Sequence, residues 1–307
     1  MNAPTRIPNL DSLSWYESTA RQRVEAFVDP GSFKEFIGPE QRELSPHLKL
    51  FDLPEQFDDG MIVGRAKLDG KPVLIAAQEG RFMGGAFGEV HGAKLTGLLR
   101  AAAELKRDVV ILFDTGGVRL QEANAGELAI AEIMRALVQA RAAGVRVVGL
   151  IGGRAGCYGG GSLIAGCCST LVISEQGRLS ISGPEVIETN RGVEEFDSKD
   201  RALVWRTMGG KHRYLIGGVD LFVADTVAAF RNAALDALKR PARLDRATLQ
   251  AEQARLEHRL ERFGQDRDAV DIWRGLGIAE VEATPSMSSQ DFLAIAQSKR
   301  EPADEAR

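Results

Sequence analysis

The sequence predicts an α/β fold in which short buried strands alternate with helices. Two apolar runs, residues 109–113 and 145–151, have the length and composition of buried strands. A glycine-rich turn follows each run, and a segment with helical spacing of apolar residues follows each turn. This repeated order is typical of parallel strands joined by crossover helices.

The individual elements follow from local patterns along the chain. Residues 14–28 are amphipathic and end at Asp29-Pro30-Gly31-Ser32, which predicts an N-terminal helix. Residues 61–68 and 73–78 flank Asp69-Gly70, a dipeptide typical of tight turns, and predict a β-hairpin. By the same patterns, strands are expected at 109–113, 145–151, 169–174 and 221–224, and helices at 91–105, 123–143, 160–168, 226–239 and 243–263.

The organisation of the chain is expected to be tripartite. Residues 1–45 predict an N-terminal helical extension, 46–240 a central domain, and 241–307 a C-terminal helical extension with a flexible tail from about residue 297. Residues 177–218 are polar and contain glycines, and their pattern assigns no particular helix or strand. Their charged run 188–200 is expected to be a surface loop that orders against a partner.

Composition excludes several classes of function. A net charge of −4 without a basic stripe gives no reason to expect nucleic-acid binding, and no apolar stretch is long enough to span a membrane. No secretory signal is visible, so a cytoplasmic location is expected. The cysteines (Cys157, Cys167 and Cys168) have neither a disulfide pattern nor zinc-ligand spacing, and no metal is expected.

The two glycine-rich turns, residues 114–122 and 156–162, carry the chemical signal. A strand end, a glycine turn and a helix start together present free backbone N–H groups and the positive end of a helix dipole. Two such donors converging on one point form an oxyanion hole, which stabilises negative charge on a carbonyl oxygen. A third turn at 84–88 matches neither nucleotide-binding glycine motif.

Four blocks resemble the carboxyltransferase branch of the crotonase superfamily, and within it the β subunits of biotin-independent malonate decarboxylases. They are Gly-Gly-Ala-Phe-Gly-Glu-Val-His-Gly-Ala-Lys at 84–94, Thr-Gly-Gly-Val-Arg-Leu-Gln-Glu at 115–122, Ser-Gly-Pro-Glu-Val-Ile-Glu at 182–188 and Gly-Gly-Lys-His-Arg at 209–213. The resemblance implies a spiral of ββα units. It also implies a malonyl thioester substrate whose carbonyl is held by the amides of Gly117 and Gly160.

The same resemblance implies partners and further contacts. A γ subunit would face the site, and an acyl carrier protein would deliver the substrate on a coenzyme-A-like phosphopantetheine arm. An acyl-transferase α subunit is also expected, with no biotin and no bound cofactor. The substrate would contact glycines of all three turns, namely Gly84, Gly85, Gly116, Gly159 and Gly161.

Charged side chains in these blocks are further candidates. Glu185 stands where hydratases of the superfamily carry a general acid or base, with a carboxylate that stabilises a helix N-terminus as the alternative. Lys211 and Arg213 are candidates for contacts with carrier-arm phosphates, with solvated surface charge as the alternative. Arg119 and Glu122 are expected to pair and to fix the first turn.

Two histidines are candidates because histidine titrates near neutrality. His91 is a possible proton donor, and His212 lies in the fourth block without an assigned role. For both, a structural role is the alternative.

Three other functions stay open. A biotin-dependent acyl-CoA carboxyltransferase β subunit is the nearest, although the zinc ribbon of bacterial acetyl-CoA carboxylase β subunits has no counterpart among the cysteines here. A hydratase or isomerase is a second, against which Leu163 counts because hydratases carry glutamate there. The third is a non-catalytic scaffold with the same fold.

Overall fold

A single mixed sheet organises the chain. The structure, a computed structural model, describes residues 12–301 except 39, 42, 44, 51–59, 243 and 267. Within these residues the sheet has seven strands, and their spatial order follows their sequence order. The strands are β1 (Lys34–Glu35), β2 (Met61–Leu68), β3 (Lys71–Gln78), β4 (Val109–Phe113), β5 (Val147–Ile151), β6 (Thr170–Ser174) and β7 (Leu221–Val223). β1, β2 and β3 pair antiparallel, and β3 to β7 pair parallel.

Helices cover both faces of this sheet. In chain order they are α1 (Ala20–Phe27), α2 (His47–Leu50), α3 (Glu89–Leu105), α4 (Asn124–Ala142), α5 (Gly160–Gly166), α6 (Pro184–Arg191), α7 (Arg201–Met208), α8 (Gly210–Leu215), α9 (Val227–Ala237), α10 (Arg246–Phe263), α11 (Ala269–Gly275) and α12 (Ser289–Ala296). Side chains of β4 alternate between two cores, as the period of a strand requires. Ile111 packs with apolar residues of α3 and α4, whereas Leu112 packs with those of α1 and α9.

A second, shorter ladder lies beyond the ends of the main strands. It consists of single parallel bridges between Phe87 and Val118, Thr115 and Cys157, and Cys157 and Leu179. The chain therefore repeatedly runs from a main strand through a bridge segment into a helix. This is the arrangement expected of a ββα spiral, and it places the glycine turns in the second ladder.

Most predicted elements are confirmed within a few residues. The hairpin of β2 and β3 has the expected turn, with Leu68 paired to Lys71. The first helix begins later than predicted, at Ala20, because Thr19 caps it through a capping box with Gln22. β1 lies within the segment predicted as an N-terminal extension, yet it pairs with β2 of the main sheet.

Residues 177–218, to which the sequence analysis assigns no helix or strand, are partly helical. They contain α6, α7 and α8, none longer than eight residues, and so short a helix gives almost no periodic signal. Pro184 begins α6, and the Asp200 carboxylate caps α7 by accepting from the Leu203 N–H (3.1 Å). Of the run expected as a surface loop, residues 188–191 belong to α6.

The C-terminal helices fold back onto the preceding part of the chain and share its core. Residues 297–301, for which the sequence predicts disorder, pack against it: the Glu301 N–H donates to the Leu215 carbonyl (2.8 Å), and the Glu301 carboxylate pairs with Arg262. Residues 302–307 of the predicted tail lie outside the described residues. No helix in the described part of the chain is long and apolar enough to cross a membrane.

Candidate active site

The three glycine turns lie side by side, held by backbone hydrogen bonds. The Gly116 N–H donates to the Gly84 carbonyl (2.7 Å) and the Phe87 N–H to the Gly117 carbonyl (2.7 Å). On the other side, the Tyr158 N–H donates to the Thr115 carbonyl (3.0 Å). The turn at 114–119 is thus clamped between the other two.

Two glycines are required by the close approach of these turns. Gly85 has a φ of +66°, and a Cβ there would lie 1.7 Å from the Asp114 carbonyl oxygen. Gly159 has a φ of +54°, and a Cβ there would lie 3.1 Å from the Gly117 Cα. Larger residues would force the turns apart. Glycine is therefore needed at both positions because the turns pack closely. The same holds for Gly161, where an added Cβ would lie 2.4 Å from Thr115 Cγ2.

The backbone N–H groups of the turns differ in whether they already donate a hydrogen bond within the protein. The Gly117 N–H, predicted as an oxyanion donor, donates to Thr115 Oγ1 (3.1 Å), and Gly117 is buried. The amides of Val118 and Gly160 have no acceptor within hydrogen-bond distance among the described residues, and both residues are half-buried. Gly160 is the first residue of α5, where the N–H has no partner inside the helix.

These two amides belong to segments in contact. A Cβ on Gly160 would lie 3.1 Å from Val118 Cγ2. The surrounding apolar side chains are exposed, with Leu120 at 86%, Ile181 at 69% and Leu163 at 44% of their full accessibility. The site is therefore a shallow, apolar-rimmed surface whose vacant polar groups include main-chain N–H groups.

A buried polar network supports the turns from beneath. Arg119 pairs with Glu122 (3.1 Å), both side chains being inaccessible, which agrees with the predicted pair. Arg119 also donates to His91 Nδ1 (3.2 Å), and the Glu122 carboxylate accepts the Glu89 N–H at the start of α3. His91 is fully buried, so it supports the first turn rather than facing the open side.

Gln78, at the end of β3, extends this network. Its Oε1 accepts from the Asp114 N–H (3.2 Å), its Nε2 donates to the Gly85 carbonyl (3.3 Å), and the same Nε2 lies 3.2 Å from His91 Nε2. One side-chain amide therefore connects two turns. The sequence signal for this role is a single polar residue that directly follows the apolar run 73–77.

Asp114 joins the N-terminal helix to the site. Its carboxylate accepts from Arg23 Nη1 of α1 (2.8 Å) and from the N–H of Ala155, the residue just before the second turn (2.7 Å). Arg23 also donates to the Trp15 carbonyl (2.8 Å), and both charged side chains are almost completely buried. Removing either partner would leave a charge in a low-dielectric interior, so this pair fixes the first turn.

Glu185 lies in the first turn of α6 and is exposed. The segment before it is attached to the second glycine turn, because the Gly159 N–H donates to the Ile181 carbonyl (2.9 Å). The position suits a carboxylate that stabilises a helix N-terminus, and it lies on the side of the second turn.

Lys211 is buried and its ammonium donates to three carbonyls, those of Thr284 (3.1 Å), Pro285 (2.9 Å) and Met287 (2.6 Å). Burial lowers its pKa. Because an ammonium group has three N–H donors, none is left for a ligand. This corrects the expectation that Lys211 contacts a carrier arm: it attaches the C-terminal segment instead.

His212 is also structural. Its Nδ1 accepts from the Trp273 indole N–H (3.2 Å), and burial, with smaller contributions from Arg213 and Arg259, lowers its pKa to about 3. A histidine with this pKa is neutral at physiological pH. The buried indole contact explains its place in the fourth block without a catalytic role.

Unlike Lys211 and His212, Arg213 lines a cavity beside α5. This cavity has a volume of about 430 Å³, and its other lining residues include Leu163, Ile181 and Arg259. Burial, and next the charge of Arg259, lowers the pKa of Arg213 to about 10. A larger groove of about 770 Å³ lies at the amino end of β4, away from the turns.

No cluster of three or more histidine, cysteine or acidic side chains within the described ranges is placed to hold a metal ion. Cys157 lies in the second turn but is buried. Burial raises the pKa of its thiol well above the usual value, so the reactive thiolate is disfavoured.

The ββα spiral and its clamped glycine turns define a carboxyltransferase-type, crotonase-like fold. A model of the carboxyl transferase domain matches residues 16–234, and the chain belongs to this family.

Three individual proteins of known type are similar to this chain over most of its length. Malonyl-S-ACP:biotin-protein carboxyltransferase MADC of Malonomonas rubra is 39% identical, over 94% of this chain and 97% of its own. A chain of a Pseudomonas malonate decarboxylase hetero-tetramer, solved in complex with malonate, is 40% identical with a TM-score of 0.77, covering 88% of this chain and 99% of its own. A chain of the Pseudomonas MdcD–MdcE hetero-dimer is 36% identical with a TM-score of 0.64, covering 81% and 99% respectively.

These relatives confirm the resemblance to malonate decarboxylases and the predicted fold class. They also confirm that the chain is an enzyme subunit of the malonate decarboxylase and carboxyltransferase type.

Proposed function

We propose that the chain is the β subunit of a malonate decarboxylase and removes CO2 from a malonyl thioester carried on an acyl carrier protein. The observation that carries this proposal is the pair of half-buried, vacant amides at Val118 and Gly160, in turns that are hydrogen-bonded side by side. The names of the Malonomonas and Pseudomonas relatives support malonyl-ACP and malonate as the relevant chemistry.

The proposed decarboxylation depends on hydrogen-bond donors that stabilise an enolate, and it needs no side-chain nucleophile. When the bond between the malonyl carboxylate carbon and the central carbon breaks, CO2 leaves and its bonding electrons form an enolate. The negative charge rests largely on the thioester oxygen, where each preorganised N–H donor is worth roughly 3 kcal/mol. A proton then adds to the enolate carbon and gives the acetyl thioester.

In the first turn, the amide that suits this role is that of Val118. The sequence predicts Gly117, but the Gly117 N–H already donates to Thr115 Oγ1. Val118 is one residue further, half-buried and in contact with the Gly160 segment. Gly116, Gly117 and Gly159 then shape the turns around the donors, while Glu185 stays a predicted acid or base.

Partner subunits complete the proposed site. A γ subunit would cover the apolar rim of Leu120, Leu163 and Ile181, and a carrier protein would insert its phosphopantetheine arm. The hetero-tetrameric and hetero-dimeric assemblies of the Pseudomonas relatives support this arrangement. The α subunit, the absence of biotin and metal, and the cytoplasmic location remain predictions.

Transfer of the carboxyl group to biotin is a second candidate function. It is favoured by the Malonomonas relative, whose name is that of a biotin-protein carboxyltransferase. The first steps would be the same, since an enolate also forms when the carboxyl group leaves for another acceptor.

CO2 release from malonyl carrier protein by the chain with its γ subunit, with and without avidin, distinguishes these functions. Avidin-resistant release is the expected result. Carboxylation of free biotin without CO2 release would reject the decarboxylase and support the carboxyltransferase. Absence of both reactions in an assembled, folded complex would support a scaffold.

A further inference from the structure

We propose that the cavity beside α5, here called the arginine cavity, binds an anionic group of the thioester substrate through Arg213 and Arg259. The cavity is lined by Ser162, Leu163, Gly166, Leu171, Leu179, Ser180, Ile181, Arg213, Ile216, Gly218 and Arg259. The inference rests on the proposed function and adds to it a second point of substrate recognition.

The first argument is charge. Among the described residues that line the cavity are two arginines and neither an aspartate nor a glutamate. The Arg213 pKa is lowered by burial and by Arg259, so the two guanidinium groups repel each other. Like charges held together at a partly buried site are stabilised when an anion enters, and arginine binds carboxylate and phosphate groups in a bidentate manner.

The second argument is unused hydrogen-bonding capacity. Arg213 Nε is buried and has no hydrogen-bond partner in the described structure. Of the five N–H donors of this guanidinium, one reaches a protein acceptor within the described residues, the Thr207 carbonyl (3.3 Å). A buried donor without an acceptor is costly, and the terminal N–H groups of Arg213, which lines the cavity, are the donors that an anion there would use.

The third argument is position. Leu163, on the cavity wall, is the third residue after Gly160, about 4.5 Å further along the axis of α5. Ile181, also on the wall, accepts the Gly159 N–H through its carbonyl. The cavity thus adjoins the segment that carries the vacant amide.

The substrate offers two anionic groups with this chemistry: the malonyl carboxylate and the phosphate of the carrier arm. The test uses the assembled complex and two substrates. Malonyl-CoA has both groups, whereas malonyl-pantetheine has the carboxylate and no phosphate. The variants are Arg213→Gln and Arg259→Gln. Arg255→Gln is the matched control. Arg255 lies on α10, the helix that carries Arg259, but it pairs with Glu252 and does not line the cavity.

The expected result is an increase in KM of about tenfold or more for the two cavity variants and not for the control, which corresponds to losing one hydrogen bond to a charged group. An increase for both substrates identifies the carboxylate as the ligand, and an increase for malonyl-CoA alone identifies the phosphate. Unchanged KM for both substrates would overturn the proposal. So would loss of subunit assembly by Arg213→Gln on size-exclusion chromatography, because the cavity would then hold a carboxylate of the partner.

Titration calorimetry with malonyl-CoA separates this proposal from the proposed function. If the wild-type complex does not turn over malonyl thioesters, the decarboxylase assignment fails. Weaker malonyl-CoA binding by the cavity variants would still support the anion site, and equal binding would reject it.

Discussion

Replacing Gly160 with proline tests the vacant amide of the second turn. Proline is tolerated at the first position of a helix, where the N–H has no intrahelical partner, so α5 keeps its own hydrogen bonds. The substitution removes the N–H proposed to face the enolate. Loss of one oxyanion donor costs about 2.7–4 kcal/mol, and we therefore expect kcat to fall about 10²- to 10³-fold.

Steric effects of the new ring must be controlled. A Cβ at position 160 would lie 2.6 Å from both Cγ1 and Cδ1 of Ile130, so any larger residue crowds this side chain. Overpacking of this kind costs about 1–3 kcal/mol of stability. Gly160→Ala introduces the same Cβ and keeps the N–H, and Ile130→Ala in both backgrounds removes the two crowded atoms.

The decisive comparison is between Ile130→Ala/Gly160→Ala and Ile130→Ala/Gly160→Pro. CO2 release is measured at saturating malonyl-CoA in the assembled complex, and urea denaturation verifies equal stability. Equal kcat in the two variants would show that the Gly160 amide contributes nothing to turnover and would reject the oxyanion role. The alanine variant retaining activity while the proline variant loses it would support that role.

Three further predictions concern the groups around the site. Arg23→Met leaves the Asp114 carboxylate buried without its guanidinium, so the free energy of unfolding should fall by about 3–5 kcal/mol in urea denaturation, with partial recovery on adding Asp114→Asn; an unchanged urea midpoint would contradict it. The depressed pKa of His212 means that the unfolded chain binds a proton below pH 6.5 whereas the folded chain does not until about pH 3. Wild-type stability should therefore fall by about 2 kcal/mol more than that of His212→Gln between pH 7 and pH 5, and parallel curves would refute this. Lys211→Met should speed proteolysis near residues 284–287 without changing KM for malonyl-CoA, whereas a raised KM with unchanged proteolysis would restore the substrate-binding role.

The strands and glycine turns were predictable because their signals are local. An apolar run such as 109–113 is buried in any arrangement of parallel strands, and a glycine with positive φ such as Gly159 marks a turn in the sequence itself. The pairing of Arg119 with Glu122 is also local, since three residues separate them.

The parts that were missed depend on contacts distant in sequence. Lys211 belongs to a family block, yet its acceptors lie 73 to 76 residues later. The helix over 243–263 that carries Arg259 is predicted, but nothing nearby in the sequence indicates that this arginine lines a cavity with Arg213. The choice between the amides of Gly117 and Val118 is a different case, because it depends on a local contact: the Thr115 hydroxyl accepts the N–H two residues later, as threonine does in turns.

The buried network of Gln78, His91, Arg119 and Glu122 has a consequence for how this enzyme tolerates change. Apart from proline, no substitution removes the main-chain N–H of the residue that carries it, so the placement of these donors depends on the side chains underneath. If every residue is substituted in turn and kcat is measured, we expect the largest losses at buried residues that do not contact the thioester. Many residues that do contact it should tolerate substitution. Natural variation in substrate preference would then be found at the rim and in the arginine cavity, while the polar layer below the turns stays constant.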